Sequence, residues 1–499
     1  MTNFFIDKHG CAKNQVDSEL LTGYLIKNGF KIVQNPENAD FIIVNSCGFI
    51  ESAKKESIDA VYAAKKNYPK AKIILTGCLA ERYAKMLYDS MPEADGVFGN
   101  GDLSKIAEFI HSVEKNRQIQ TFEQSGVCCG ERPLLFNFPG STFVKITEGC
   151  SNHCSFCAIP LIRGELRSRS VKSIIDEIKN LIENGIYEIN LIGQDLAAYG
   201  TEKSFFDEFI NKNSEKSPLS ILLSEISKIQ GDFIVRPLYI HPDHFTADIL
   251  EPIKDDSRLL AYFDIPFQSG DDKIIKSMNR TGSRKKYENL VKMIRKKLPD
   301  AVLRTTFLTG FPGETWEKAK NTEDFLNSIQ PDWSGCFNYS REEDTPAYFM
   351  KPKIPKKVAK KRAENLEEIQ SKITAEKLAK YIGKKINVLV EEVIQNDIES
   401  STEKNQQNIF QENSAKSDMQ ECDVFDEGLA IGRAWFQAPE VDGNVVIRYD
   451  SESENQKNAV KPGNVVRVKI LAVTGVDLDA RFEEIIKEFP KKELQKFVL

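Results

Sequence analysis

No run of apolar residues in this 499-residue chain approaches the roughly 18 that a membrane-spanning helix needs. The segment Met1 to Cys11 lacks a basic patch followed by an apolar stretch, so no secretion signal is read. Ten cysteines fall far below the density of a disulfide-stapled secreted scaffold, which leaves their spacing to decide their role. Positive charge is not in excess either. Lys and Arg number 68 against 74 Asp and Glu, a net charge of −6, which disfavours a strong general nucleic-acid binder. There is no internal repeat, and no convincing His–carboxylate or Ser–His set. The remainder is 41% hydrophobic and 28% charged, an ordinary globular composition. These values predict a cytoplasmic, enzyme-sized chain of about three domains.

The first region, residues 1–125, alternates strands and helices. Phe41–Asn45 and Ile73–Thr76 are short apolar runs of the kind that form buried parallel strands. Between a Phe4–Ile6 strand and Phe41 lies a helix marked by Val16, Leu20, Tyr24 and Leu25 and closed by Asn28-Gly29. This rhythm predicts an open, mostly parallel α/β sheet. Residues 126–140, with Gly126, Gly130, Pro133, Pro139 and Gly140, read as a linker. Residues 141–375 carry six βα-type units, with strands at 143–147, 188–192, 234–239, 261–265, 303–308 and 335–339. They predict a barrel or partial barrel with its chemistry at the strand C-terminal ends. A long charged helix over 353–381 follows. Residues 380–480 read as a small antiparallel β-barrel interrupted by a polar, mobile insertion at 395–427. The tail, 481–499, reads as an amphipathic helix with a few trailing residues.

Cysteine spacing carries the chemistry. Cys150, Cys154 and Cys157 form a C-x3-C-x2-C run directly after a strand, and three thiolates on one loop can hold three irons of a 4Fe–4S cube. The fourth iron is then left for a substrate or cofactor. A zinc knuckle is the competing reading, but His153 adjoins Cys154 and is awkwardly placed to join the same tetrahedral site. Cys11, Cys47 and Cys78 each lie just past a predicted strand, about one βα repeat apart, and three such positions can converge at one sheet edge. Gly10, Gly48 and Gly77 leave room there for a bulky inorganic group. Buried, inert cysteines are the alternative for this second trio. Cys128, Cys129, Cys336 and Cys422 are expected to be incidental. His241 and His244 flank Pro242-Asp243 near a strand end and read as structural or cleft-lining.

Together these residues resemble the methylthiotransferases of the radical S-adenosylmethionine superfamily, most closely the RimO type. The resemblance runs through His9–Glu19, Asn45–Ile50, Thr76–Cys78, Glu148–Gly164, Asp264–Pro266, Arg304–Glu314, Gly432-Arg433 and Ala438–Gly443. It implies a flavodoxin-like N-terminal domain with an auxiliary cluster on Cys11, Cys47 and Cys78, a radical-S-adenosylmethionine partial (β/α)6 barrel, and a C-terminal TRAM β-barrel. It further implies two 4Fe–4S clusters, the second on Cys150, Cys154 and Cys157. S-adenosylmethionine would be contacted by Phe156, Gly193, Gln194, Asp195, Gly310 and Glu314. The implied reaction uses one S-adenosylmethionine to methylate a cluster-held sulfur. A second is cleaved to a 5′-deoxyadenosyl radical that takes a hydrogen from an unactivated carbon, where the methylthio group is installed.

The same resemblance implies the substrate, the β-carbon of an aspartate in small-subunit ribosomal protein S-twelve, and an electron donor such as flavodoxin or ferredoxin. Residues 381–480 hold ten Lys and Arg against eighteen Asp and Glu, a balance that suits a basic protein partner better than an RNA backbone. Two alternatives stay open, a tRNA adenosine methylthiotransferase of the sister family and a non-catalytic iron–sulfur protein. The run Lys351–Arg362, with seven basic residues and no acid, reads as a solvated helix face.

Overall fold

The computed structural model describes residues 1–212, 215–394 and 427–490. Met1–Lys377 build one compact unit and Leu378–Phe489 a second. The first unit opens with a six-stranded parallel sheet: β1 (Asn3–Lys8), β2 (Lys31–Ile32), β3 (Phe41–Ser46), β4 (Lys72–Gly77), β5 (Gly96–Phe98) and β6 (Gln118–Gln120). Their order is β2-β1-β3-β4-β5-β6, the doubly wound flavodoxin-like arrangement continued by one edge strand. Helices α1 (Ala12–Lys27), α2 (Glu51–Asn67), α3 (Cys78–Ser90) and α4 (Ile106–Lys115) cover the sheet. Every residue of β3 is buried, as a central parallel strand requires. In such a sheet, ligands bind where the strand order reverses, at the carboxyl ends of β1 and β3.

Within the stretch read as a linker, residues 131–137 pack along α1. The buried Glu19 accepts from the Phe136 N–H (2.9 Å) and from Arg132 (2.6 Å). A Cβ added at Gly23 would fall 2.1 Å from the Glu131 carbonyl oxygen, so only glycine admits this approach.

The second half of the unit contains β7 (Ser141–Lys145), the short hairpin β8 (Thr147–Glu148) and β9 (Arg167–Ser168), then β10 (Glu188–Ile192), β11 (Ile234–Pro237), β12 (Tyr262–Asp264), β13 (Val302–Thr309) and β14 (Trp333–Asn338). Apart from the hairpin, these six strands run parallel as two three-stranded sheets, β7-β10-β11 and β12-β13-β14. The sheets are joined by a Val235–Leu259 bridge and by Ile240 N–H donating to the Asp264 carbonyl (2.8 Å). This is a (β/α)6 partial barrel. Its core is one cluster running from Val144 through Leu191, Val235, Phe263 and Phe307. Ser170 caps the first crossover helix, Val171–Glu183, by accepting from Ser173 N–H. The helix Lys356–Ala379 closes the unit.

The second unit is a closed five-stranded barrel of β15 (Lys385–Ile394), β16 (Glu427–Ala434), β17 (Val445–Asp450), β18 (Val465–Thr474) and β19 (Asp477–Lys487), ordered β15-β16-β17-β19-β18. A bulge between Val390 and Glu392 turns Glu391 inward, where it meets Arg433 at 2.6 Å. Here the structure corrects the sequence reading: residues 481–487 belong to β19 and are not helix. Phe482, Ile485, Ile486 and Phe489 have helical spacing, but β17 and β18 each present an open edge, and one strand pairing with both closes the barrel. The insertion 395–427, apart from Glu427, lies outside the described residues, as do Cys422 and residues 491–499. Among the described residues no helix is long and apolar enough to cross a membrane.

Candidate active site

The strand ends of the N-terminal sheet bring Cys11, Cys47 and Cys78 together. Cys11 caps the start of α1, Cys47 follows β3, and Cys78 opens α3. The glycines beside them make the approach possible. A Cβ at Gly10 (φ 96°) would lie 2.9 Å from the Cys47 Cβ and 3.3 Å from its Sγ, and one at Gly48 would lie 2.8 Å from the Cys78 backbone. Asn14 knits the three segments, donating to the Ser46 carbonyl (2.8 Å) and the His9 carbonyl (3.0 Å) and accepting from Cys78 Sγ at 3.2 Å. Burial, with Cys78 and then Cys11 adding their charge, pushes the Cys47 thiol up to about 12, and burial likewise raises Cys78. Cys11 behaves differently. Burial would raise it, but the charges of Lys13 and Arg163 and the first N–H groups of α1 outweigh that and lower it. Although protein crowds around it, the Cys11 side chain keeps an open surface.

The second trio sits on the loop after β8. Gly149 (φ 71°) starts it, and Cys150 N–H donates to the Gly164 carbonyl (3.0 Å). Ser155 and Asn279 tie the loop to the segment after the helix Asp272–Ser277: Ser155 N–H donates to the Met278 carbonyl, and Asn279 Nδ2 donates to the His153 carbonyl (2.9 Å). Burial pushes Cys150 and Cys157 up to about 12, with Asp195 and Cys154 adding to it at Cys150 and the other two thiols of the trio adding to it at Cys157. Thiols crowded in this way ionise together only when a cation sits among them, which is the donor chemistry of an iron–sulfur or metal centre. His153 turns away from the trio to pair with Glu165 at 3.3 Å, against the zinc alternative.

The remaining expected cofactor contacts are distributed around this loop. The Phe156 ring packs with Ile274, Met278 and Phe311 beside Gly310. A Cβ at Gly193 would strike Thr147 Oγ1 at 2.1 Å, so the β10 end runs close against β8. Gln194 is half-buried next to it. The Asp195 carboxylate is taken up by the chain itself. It accepts from Asn152 Nδ2 (2.9 Å), His244 Nδ1 (2.6 Å), and the backbone N–H groups of His241 (3.1 Å) and Ala197 (3.1 Å). A carboxylate offers about four acceptor positions, so Asp195 acts here as a brace between the cysteine loop and the segment after β11. Burial would raise it, but the His244 and Asn152 hydrogen bonds and the nearby imidazoles win, and Asp195 stays ionised. Glu314 commits one oxygen, Oε2, which accepts from both Gly310 N–H (2.7 Å) and Arg362 (2.6 Å). Arg362 therefore leaves the solvated face read for the basic run, while the lysines of that run are exposed.

His241 is a site residue that its sequence context did not distinguish. Its Nδ1 accepts from the Asp243 N–H (3.3 Å), and burial followed by the Arg280 charge lowers it to about 3, so the ring is neutral with its proton on Nε2. That Nε2 faces Cys154 Sγ at 3.9 Å. Arg163, Asp17, Glu148 and Lys145 were missed as a set. Arg163 contacts Glu148 (2.5 Å), Asp17 (2.9 Å), Asn14 (2.7 Å) and Cys78 Sγ (3.3 Å), while Lys145 reaches Asp17 (2.6 Å) and Glu148 (2.5 Å). Burial opposes the Glu148 charge, yet Arg163 and Lys145 pull its carboxyl down to about 2. This two-cation, two-anion network touches Cys78, includes Glu148 two residues before Cys150, and joins α1 to the barrel. Its signal was in the sequence. The first turns of α1 bury Lys13, Asn14, Gln15, Asp17, Ser18 and Glu19, where a helix packed for stability alone would carry apolar residues.

A six-stranded parallel partial barrel with a C-x3-C-x2-C loop at its mouth defines a radical S-adenosylmethionine enzyme, and residues 144–326 match the Radical SAM superfamily. Residues 3–99 match a family described as "Uncharacterized protein family UPF0004", and residues 421–482 match the TRAM domain. A ribosomal protein uS12 methylthiotransferase RimO of Treponema denticola is 49% identical over 95% of this chain and 99% of its own length. The RimO of Thermoanaerobacter sp. is 37% identical over 91% of this chain and 95% of its own. The chain belongs to the RimO family of methylthiotransferases. A solved structure of the radical S-adenosylmethionine methyltransferase TsrM from Kitasatospora setae, with cobalamin and a [4Fe-4S] cluster bound, shares the fold at 13% identity. Its TM-score is 0.50, over 70% of this chain and 77% of that one.

Proposed function

We propose that this chain installs a methylthio group on the β-carbon of an aspartate in ribosomal protein uS12, as a cytoplasmic enzyme supplied with electrons by a flavodoxin or ferredoxin. The observation that carries the reading is the pairing of two cysteine trios in one compact unit, joined through the Arg163 network, in a chain of the RimO family. Cys150, Cys154 and Cys157 would hold one 4Fe–4S cluster, and Cys11, Cys47 and Cys78 the other. When bound, these groups and S-adenosylmethionine supply the radical chemistry and the sulfur that is transferred.

The chain's own residues then position and shield. Asp195 and Asn152 hold the Cys150–Cys154 loop in register with the segment after β11. His241 Nε2–H directs a weak hydrogen bond at Cys154 Sγ. Glu314 and Arg362 hold the Gly310–Gly313 turn, whose closeness to Ala359 (2.4 Å from a Cβ at Gly310) demands glycine, and Phe156 walls the same side with an apolar ring. Gly193 and Gln194, at the end of β10 against Thr147, would contact S-adenosylmethionine from that strand end. Arg163, itself buried, sets positive charge against Cys78.

Anaerobic reconstitution with iron and sulfide is expected to give about eight irons per chain. Adding S-adenosylmethionine, a reductant and either a uS12 peptide or tRNA should yield a methylthio-aspartyl peptide by mass spectrometry and unmodified tRNA. Modification of tRNA, or four irons per chain, would overturn the reading.

A further inference from the structure

The barrel mouth holds a buried cation that the roles above leave unused. Lys13, the second residue of α1, is 7% exposed, and its Nζ stands 3.7 Å from the centroid of the Tyr239 ring. Tyr239 lies just past β11, at the C-terminal end of the third barrel strand, in a left-handed backbone conformation (φ 64°). The ammonium therefore reaches from the N-terminal sheet onto the barrel mouth, starting two residues from Cys11. The charged groups around it are Cys11, Arg163, Asp264 and Glu148. Among the described residues it forms no ion pair and no hydrogen bond. The neighbouring cation Arg163 is committed to Asp17 and Glu148, and other buried barrel arginines are likewise paired, Arg304 with Asp264 (3.2 Å) and Arg236 with Glu188 (2.7 Å). An aromatic face offers a cation far less than water does. The Tyr239 face is its close contact, Cys11, Asp264 and Glu148 act on it only through their charge, and the ammonium keeps hydrogen-bond capacity for a further anion.

We propose that Lys13 is the specificity-determining cation for the substrate and receives the side-chain carboxylate of an aspartyl residue in the bound peptide. The inference rests on the reading above, that an aspartate β-carbon is the acceptor. That carbon is bonded directly to the carboxylate carbon, so one ion pair both selects the side chain and holds the reacting atom beside Cys11, one bond from the gripped group. An asparagine at the same position would offer the ammonium an amide oxygen but no opposing charge. Hydrogen bonds to a charged partner are roughly twice as strong as neutral ones, so the ammonium favours the carboxylate over the amide.

The test uses the full chain, reconstituted anaerobically, with two peptides identical except for Asp or Asn at the target position. Binding is measured by fluorescence anisotropy without reductant, transfer by mass spectrometry with S-adenosylmethionine and reductant, and iron is counted for each variant. The wild-type chain is expected to bind the Asp peptide at least about 10-fold more tightly than the Asn peptide. Lys13→Met should bring the Asp peptide down to the Asn level with iron content unchanged, and Lys13→Arg should keep most of the preference. The proposal is overturned if Lys13→Met retains the wild-type Asp-to-Asn ratio, if it weakens both peptides equally, or if it loses iron, which would make Lys13 a support for Cys11. A wild-type chain that shows the binding preference but transfers nothing would overturn the activity and leave the carboxylate site standing.

Discussion

The two cysteine trios reach similar chemistry by opposite routes. Cys150, Cys154 and Cys157 fall within eight residues, so the chain's covalent spacing holds them near one another before any tertiary structure forms. Cys11, Cys47 and Cys78 come from three separate strand ends and meet only because β1, β3 and β4 pair in register, Lys8 beside Asn45 and Ser46 beside Gly77. The local trio needs a loop; the dispersed trio needs a correctly ordered sheet and three glycines. The dispersed site is therefore the more sensitive of the two to backbone change, and Arg163, anchored next to the local loop, ties its fate to the barrel.

Removing single thiols tests this division most severely. Cys154→Ala is expected to abolish transfer and remove the iron of the local trio, lowering content from about eight to about four per chain, with Cys78→Ala doing the same for the other trio. Iron assay with electron paramagnetic resonance separates the two, and a variant that loses all eight would show that the sites do not assemble independently. Arg163→Met leaves Asp17 and Glu148 with Lys145 as their remaining cation in the network. It should cost about 3–5 kcal/mol, read by chemical denaturation, and should lower iron in the Cys78 trio before the local one. Gly10→Ala forces a side chain onto the Cys47 Cβ from a left-handed backbone conformation. A loss of about 1–3 kcal/mol is expected, with the dispersed trio's iron reduced and the local trio's kept.

The smallest effect is a matter of pH. His9 is raised to about 9, mainly by Asp7 (3.1 Å), with burial opposing and Glu56 (3.0 Å) assisting. A folded-state value above the ordinary 6.5 means that the stabilisation is fully present below pH 6.5, fades as pH rises, and is gone above about 9. Because Glu56 is largely exposed, solvent screening reduces the contribution to about 1 kcal/mol. His9→Gln should therefore destabilise the chain at pH 6 and match wild type at pH 9.5, measured by thermal unfolding. An equal deficit at both values would show that the ion pairs contribute nothing.

Much of the architecture could be read ahead of the structure because it is periodic. Buried parallel strands such as Phe41–Ser46 show as apolar runs, and a crossover helix such as Val171–Glu183 shows as a 3.6-residue pattern. The β19 strand escaped for the converse reason. Its residues carry a helical spacing, and pairing with β17 and β18 overrode it. Glu314 and Asp195 stand out in the sequence as motif carboxylates, and the packing adds what the motif does not show: Asn152 and His244 bond Asp195, while Gly310 and Arg362 both bond the Oε2 of Glu314.

The C-x3-C-x2-C spacing, the βα rhythm and the glycines were decided by local covalent geometry, because contacts within a few residues are fixed by the order of the chain. The charge network on Arg163, the His241–Cys154 contact and the place of Lys13 over Tyr239 were decided only on folding. Each joins groups far apart in the chain, and the energy of a buried charge depends on which distant partner the packing brings to it.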